Sequence, residues 1–405
     1  MSYSNDVIER AKLNKQLTIA PFAQSFRWCN NDCDFCYLKT TMFQKPPSKE
    51  DFKEICLNVI RWLKEYSKEI PEDVNIMFLL IGGELYCLDD EYYSLLEFLI
   101  YGSNQILKLH KKKIGNIALC SNLLLSEDRL ERMHKFYNFC SSIAKTDVNT
   151  SYDIEGRFKT EEKCKLWFDN FSTIINTWNC NSKPEFEMVL TKPSIIKYIN
   201  NENTWEINYF KKTLDFGYKI DFCTKEYQPN SKENINLVPS NEDLFNFFRK
   251  LIDDYWGKIP LIDLYDISIK ENDYFADNTW HMPASSISFG LPDKSDYNVG
   301  TKYDKYGVII NYCDIVAGIV PWDKEEGSNK LDIGNNEFIC IKHPEIVSHY
   351  FNNIYGCGSC KYKEVCNSRH FFSLCYAIHK HKWSNNKCYV KKVFKYVEDK
   401  KNDIQ

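Results

Sequence analysis

The stretch Val74-Asn75-Ile76-Met77-Phe78-Leu79-Leu80-Ile81-Gly82-Gly83-Glu84-Leu85 decides the fold. An almost unbroken apolar run of strand length ends in two glycines and an acid, as a strand does where it leaves a sheet for a loop. The two glycines let the backbone approach a ligand closely, and the Glu84 carboxylate can accept a hydrogen bond from an ammonium group. By themselves these three residues serve equally as a plain strand-to-loop turn.

Outward from this unit, residues 16–225 alternate strand-like runs with amphipathic helical patterns, the arrangement of a parallel sheet with crossover helices. Strands are predicted over 17–23, 74–81, 114–121, 148–153, 186–191 and 219–223. The clearest helix covers 50–66, with Phe52, Ile55, Cys56, Val59, Leu63 and Tyr66 on one face, and Ser48 with Asp51 offers it an N-terminal cap. Six such units suit an open, partial barrel better than the closed eight-unit one, and in these folds chemistry gathers on the loops after the strands.

On the first of those loops lies Trp28-Cys29-Asn30-Asn31-Asp32-Cys33-Asp34-Phe35-Cys36-Tyr37. Three thiols this close converge on one metal centre only in an irregular loop. Four thiolates are the usual complement of a [4Fe-4S] cluster, so three leave one iron open to a small molecule. Tetrahedral zinc uses similar spacings and stays open as an alternative.

The chain has 405 residues, of which 43% are apolar and 15% aromatic, enough for two domains or one large domain with an appendage. A net charge of −4 gives no basic field for nucleic acid, and Lys111 to Lys113, Lys391 with Lys392, and Lys400 with Lys401 read as solvated faces. The first residues carry no signal-peptide apolar region and no stretch reaches the length of a membrane span, so a cytoplasmic protein without a membrane partner is expected. In a reducing compartment, clustered cysteines among the seventeen read as metal or redox ligands rather than a disulfide frame. The scattered Cys56, Cys87, Cys120, Cys140, Cys164, Cys180 and Cys223 read as small core residues.

Cys29, Cys33 and Cys36 form a CxxxCxxC motif with the aromatic Phe35 just before its last cysteine, and the chain here resembles the radical S-adenosylmethionine (SAM) enzymes. The resemblance implies a [4Fe-4S] cluster on these cysteines and SAM as cofactor. Gly82, Gly83 and Glu84 resemble the family motif that contacts the methionine amino group. Ser121 and Asn122 stand where relatives carry a Thr-Asn-Gly turn, with Leu123 in place of the glycine. Ser151-Tyr152-Asp153 resembles a Ser-Leu-Asp segment whose serine meets the SAM ribose.

Near the C-terminus, Cys357 and Cys360 are followed by Cys366, Cys375 and Cys388 in a segment with little apolar run, so a metal is expected to organise it. The CxxCx5C pattern resembles the SPASM/twitch extension of peptide-modifying radical SAM enzymes, and the run ending in Cys313 resembles its hairpin. One auxiliary [4Fe-4S] cluster on Cys357, Cys360, Cys366 and Cys388 is implied, with Cys375 the alternative fourth ligand. A second is implied only with an unusual set from Cys313, Cys340, His370 and Cys375, because the family's upstream cysteine pair is missing and His370 replaces a cysteine.

The expected organisation is therefore an α/β chain with a partial (β/α)6 radical SAM core over 1–225, a helical segment and linker over 226–305, and a small Cys-rich iron-sulfur domain over 306–405. Within the middle segment a helix is expected from a Ser240 cap with Asp243, and 282–305 reads as a linker or active-site loop. The resemblance implies an oxidoreductase of the peptide-maturase type. It would cleave SAM reductively and then oxidise a peptide or protein to a thioether or carbon crosslink, with a flavodoxin or ferredoxin as reductant. Asp314, beside Cys313, is the implied proton acceptor. Only 28 residues precede Cys29, so a leader-binding module is expected to act in trans. A small-molecule radical dehydrogenase and a non-catalytic iron-sulfur adapter are the competing functions.

Overall fold

A computed structural model describes residues 3–23, 25–36, 45–227, 236–259, 286–291, 305–306, 308, 359–362 and 388–404. Among the described residues seven strands make one sheet: β1 Gln16–Ala20, β2 Asn75–Leu80, β3 Ile114–Cys120, β4 Lys145–Ser151, β5 Glu185–Leu190, β6 Asp221–Glu226 and β7 Ser286–Ser288. Their order is β6-β5-β4-β3-β2-β1-β7. The pairs β1/β2, β2/β3, β3/β4 and β1/β7 are parallel, with Leu17 opposite Ile76 and Leu80 opposite Leu119. This is an α/β fold on a parallel sheet, and each of the six expected strands is present in the expected order.

Two strands begin elsewhere than their apolar runs. β4 starts at Lys145, because Thr146, fully buried, and Asp147 extend the alternation that the sequence shows only from Val148. The sixth strand starts at Asp221 because Gly217–Lys219 forms a 3-10 turn, with Gly217 at φ +59. The 282–305 stretch, expected as a linker or active-site loop, contains β7, held against β1 by Ser288 Oγ donating to the Ala20 carbonyl at 2.8 Å.

The first of two compact units comprises residues 1–150, 162–185 and 283–316. It holds α1 Tyr3–Asn14, α2 Lys49–Tyr66, α3 Asp90–Leu109, α4 Glu127–Ser141 and nearly all of α5 Glu161–Thr177. Ser48 caps α2 as expected, its hydroxyl accepting from the Asp51 N–H at 3.2 Å. The predicted apolar face of α2 is buried, and Phe52 stacks on Phe22 with ring centres 4.3 Å apart.

The second unit comprises residues 151–161, 186–282 and 317–405. It holds α6 Lys192–Ile199, α7 Trp205–Leu214, α8 Asn241–Tyr255 and α9 Tyr389–Ile404. Ser240 and Asp243 form a complete capping box at the start of α8. Among the described residues no helix is long and apolar enough to cross a membrane. Cys56, Cys140, Cys164 and Cys223 are buried, while Cys87, Cys120 and Cys180 are half-buried.

Candidate metal centre

Residues 26–36 form neither helix nor strand, and two backbone bonds fix where they lie. The Gly83 N–H donates to the Phe26 carbonyl and the Glu84 N–H to the Trp28 carbonyl, each at 2.8 Å. The loop after β1 therefore runs against the loop after β2 at backbone distance. Only glycine permits this at Gly83, where a Cβ would lie 1.8 Å from the Trp28 oxygen.

Downstream of that contact come the three cysteines, Cys33 buried and Cys29 and Cys36 half-buried, with a tight turn closed by the Cys36 N–H on the Cys33 carbonyl at 3.2 Å. Phe35, half-buried, sits inside this turn. Cys29 Sγ accepts from the Asn31 backbone N–H and from Asn122 Nδ2, both at 3.4 Å, and Cys33 Sγ accepts from Asn31 Nδ2 at 3.3 Å.

Glu84 is fully buried. Its Oε1 accepts from the Ser121 hydroxyl at 3.0 Å and the Tyr86 N–H at 3.2 Å, and its Oε2 from the Asn122 N–H at 2.5 Å. The carboxylate thus ties the loop after β2 to the loop after β3. That third loop turns at Leu123, where glycine was expected. Leu123 adopts φ +54, a left-handed conformation, and its N–H donates to Ser121 Oγ at 3.0 Å. Asn170 of α5 holds the turn from behind, Nδ2 donating to the Leu123 carbonyl at 2.9 Å and the Leu125 carbonyl at 2.8 Å.

Burial pushes the Cys29 thiol up to about 12, and the charges of Glu84 and Cys33 add to that rise. A thiolate here needs a cation beside it, while three amide N–H groups are already aimed at two of the sulfurs. Donors to sulfur, one buried and two half-buried thiols and a glycine-forced close approach fit a thiolate-bound metal group.

The fold brings together Cys29, Cys33, Cys36, Gly82, Gly83, Glu84, Ser121 and Asn122 within the first unit. Ser151 is the last residue of β4, half-buried, and belongs to the second unit. In that unit the Tyr152 N–H donates to the Glu187 carbonyl at 2.8 Å, and Asp153 pairs with Arg157 while accepting from the Val189 N–H at 2.7 Å.

Of the C-terminal cysteines, Cys360 and Cys388 are half-buried. Cys388 directly precedes α9, its carbonyl accepting from the Lys392 N–H at 3.2 Å. Two residues after Cys360, the Tyr362 hydroxyl donates to Glu398 of the same helix at 2.7 Å. Cys313, Asp314, Cys340, Cys357, Cys366, His370 and Cys375 lie outside the described residues.

Four residues of the centre carry no sequence motif: Asn30, Asn31, Lys163 and Cys87. Asn30 Nδ2 donates to the Leu124 carbonyl at 2.8 Å, and Lys163 of α5 donates to Asn31 Oδ1 at 3.4 Å. Cys87, expected as core, donates to the Glu84 carbonyl at 3.4 Å, and burial together with the charges of Glu84 and Cys29 raises its thiol well above the usual range. The one signal available in the sequence was the amide pair Asn30-Asn31 inside the cysteine run.

No protein-family model matches the chain, and no curated protein matches it. Among solved structures, TYW1 with a lysine-pyruvate adduct bound aligns at 12% identity and TM-score 0.33, covering 61% of this chain and 77% of that one. The FeFe-hydrogenase maturase HydG from Carboxydothermus hydrogenoformans aligns at 15% identity and TM-score 0.36, covering 98% and 86%. A second HydG structure, described as a maturase of the [FeFe]-hydrogenase, aligns at 10% identity and TM-score 0.37, covering 98% and 87%, and at such scores these likenesses carry no conclusion about this chain's chemistry.

Proposed function

We propose that the chain is a radical SAM enzyme that oxidatively modifies a peptide or protein. One observation carries the enzymatic part: the three-cysteine loop after β1 is bonded, backbone to backbone, to Gly83 and Glu84 after β2, and through Asn122 to the loop after β3. Cys29, Cys33 and Cys36 would hold a [4Fe-4S] cluster with one iron left for SAM. When bound, cluster and SAM together supply one-electron cleavage of the bond from sulfur to the 5′ carbon and hence a hydrogen-abstracting radical.

The chain's own residues position and shield that centre. Gly82 and Gly83 keep side chains away from the place where the two loops meet, and Glu84 orients Ser121 and Asn122. Phe35 offers an apolar wall against water, and Ser151 is the proposed ribose contact.

The peptide-modifying part is supported by the CxxCx5C spacing and by two cysteine-bearing segments reaching α9, one through Tyr362 two residues after Cys360 and one through the Cys388 carbonyl. Cys357, Cys360, Cys366 and Cys388 would hold an auxiliary [4Fe-4S] group as electron acceptor, with Cys313 and Cys375 as further thiols and Asp314 as proton acceptor. A flavodoxin or ferredoxin would serve as reductant.

Anaerobic reconstitution with iron and sulfide, followed by dithionite and SAM, tests the reading. Formation of 5′-deoxyadenosine is expected, along with its loss in Cys29→Ala, Cys33→Ala and Cys36→Ala. Stoichiometric zinc without iron in anaerobically purified protein, or iron-loaded protein that yields no 5′-deoxyadenosine, would overturn it. For the substrate, loss of two hydrogens from an added peptide is the expected mass change.

A further inference from the structure

Two amide side chains face the sulfurs, and donor-only partners fix which way each amide points. Asn31 is 4% exposed. Its Oδ1 receives the Lys163 ammonium at 3.4 Å, so its NH2 is the end directed at Cys33 Sγ, 3.3 Å away. Asn122 Oδ1 receives the Leu124 N–H at 2.8 Å, so its NH2 is directed at Cys29 Sγ at 3.4 Å and at Asn30 Oδ1 at 2.7 Å. An ammonium and a backbone N–H can only donate, so neither amide can be flipped without placing donor against donor.

We propose that Asn31 and Asn122 are positioning residues that raise the reduction potential of the cluster held by Cys29, Cys33 and Cys36, by donating N–H bonds to its thiolates. This rests on the cluster reading above. Reduction adds one electron to [4Fe-4S]2+ and gives [4Fe-4S]+, with no proton taken up. The reduced form carries more negative charge on its sulfurs and gains more from each donor, so donors favour it. They also oppose Glu84, a fully buried carboxylate whose charge acts in the other direction. Lys163 strengthens the effect by polarising the Asn31 amide toward sulfur.

The test is an EPR-monitored redox titration of the anaerobically reconstituted full chain, following the signal that Cys29→Ala removes, with dithionite as electron source and no SAM, alongside iron content and circular dichroism. Asn31→Leu and Asn122→Leu keep the branched heavy-atom outline, with somewhat larger methyl ends, and remove the donor. Each is expected to load iron as the wild type does. At the wild-type midpoint each should show a reduced-to-oxidised ratio lower by about tenfold, which for one electron is 59 mV. Asn31→Gln, which keeps an amide, should recover part of the shift. Unmoved midpoints at full iron content overturn this proposal alone. If one leucine variant fails to load, the other decides. If both lose iron with unchanged circular dichroism, the two asparagines serve loading and the proposal falls. A wild-type chain that takes up no iron overturns the cluster reading and this inference with it.

Discussion

At Gly83 a methyl group has nowhere to go, because a Cβ would lie 1.8 Å from the Trp28 carbonyl oxygen and 2.4 Å from its carbon. Both atoms belong to the backbone that Glu84 bonds, so relief means separating the two loops. At Gly82 the nearest atom, the Phe26 oxygen, would be 3.0 Å away, a contact that a small shift relieves. Gly83→Ala is therefore expected to lose about 3 kcal/mol and its iron uptake, and Gly82→Ala about 1 kcal/mol, read from urea midpoints and iron content. Leu123 invites an opposite comparison. At an ordinary position glycine is less stable than alanine by about 0.5–1 kcal/mol. With φ at +54 that order reverses, because any Cβ is penalised by about 1–2 kcal/mol in the left-handed region. Both Leu123→Ala and Leu123→Gly lose a fully buried side chain, about 2–5 kcal/mol, but Leu123→Gly is expected to be the more stable of the two in urea unfolding. At this scale the cysteine spacing and the glycine pair were legible in the sequence. The donation of Asn122 to Cys29 and of Lys163 to Asn31 was not, because these partners lie 93 and 132 residues apart along the chain.

The element level is clearest where α9 meets α8. The Tyr389 N–H donates to Asn241 Oδ1 at 2.7 Å, Tyr389 stacks on Phe248 at 5.8 Å, and Lys392 pairs with Glu242 at 3.0 Å. Lys400 pairs with Asp253, so two lysines expected as solvated have partners. The Ser240 capping box was legible, and Ser240→Ala should lower stability by about 1 kcal/mol in thermal unfolding. The docking of α9 was not, because ion pairs between distant helices leave no period in the sequence. Lys361 and the Tyr362 hydroxyl hold the Glu398 carboxyl below the usual range. The unfolded chain then binds a proton at a higher pH than the folded one, so the contribution of Glu398 is fully present above the unfolded value, about 4.3. It fades as pH falls through that value toward the lowered folded one. With the intrinsic pH dependence of exchange divided out, the protection factors of the α9 amides should therefore fall on acidification below about pH 4.3, and Glu398→Gln should show a smaller change with pH. An equal slope in both proteins would refute the assignment.

For the whole molecule, periodicity gave six strands in order because each is a local apolar run or alternation, and the sheet assembles them in sequence from β1 to β6. The seventh escaped notice for a physical reason. Ser286-Ile287-Ser288 has too few residues to show an alternation, and its place in the sheet comes from contacts with segments more than 200 residues away, such as Asn58 Nδ2 on the Gly290 carbonyl at 3.5 Å across 232 positions. Yet β7 covers what would otherwise be the open edge of β1, the strand that leads into the cysteine loop. Ile287 and Phe289 are fully buried, and Phe289 meets Trp62 of α2 edge to face at 6.4 Å. If residues 286–291 were a passive tether, Phe289→Ala would be almost neutral. As part of the core beneath β1, it should cost about 3–5 kcal/mol in urea unfolding. Because β1 positions the cysteine loop, the same variant should also speed hydrogen exchange along 16–20, while exchange along β6, at the other end of the strand order, stays at the wild-type rate.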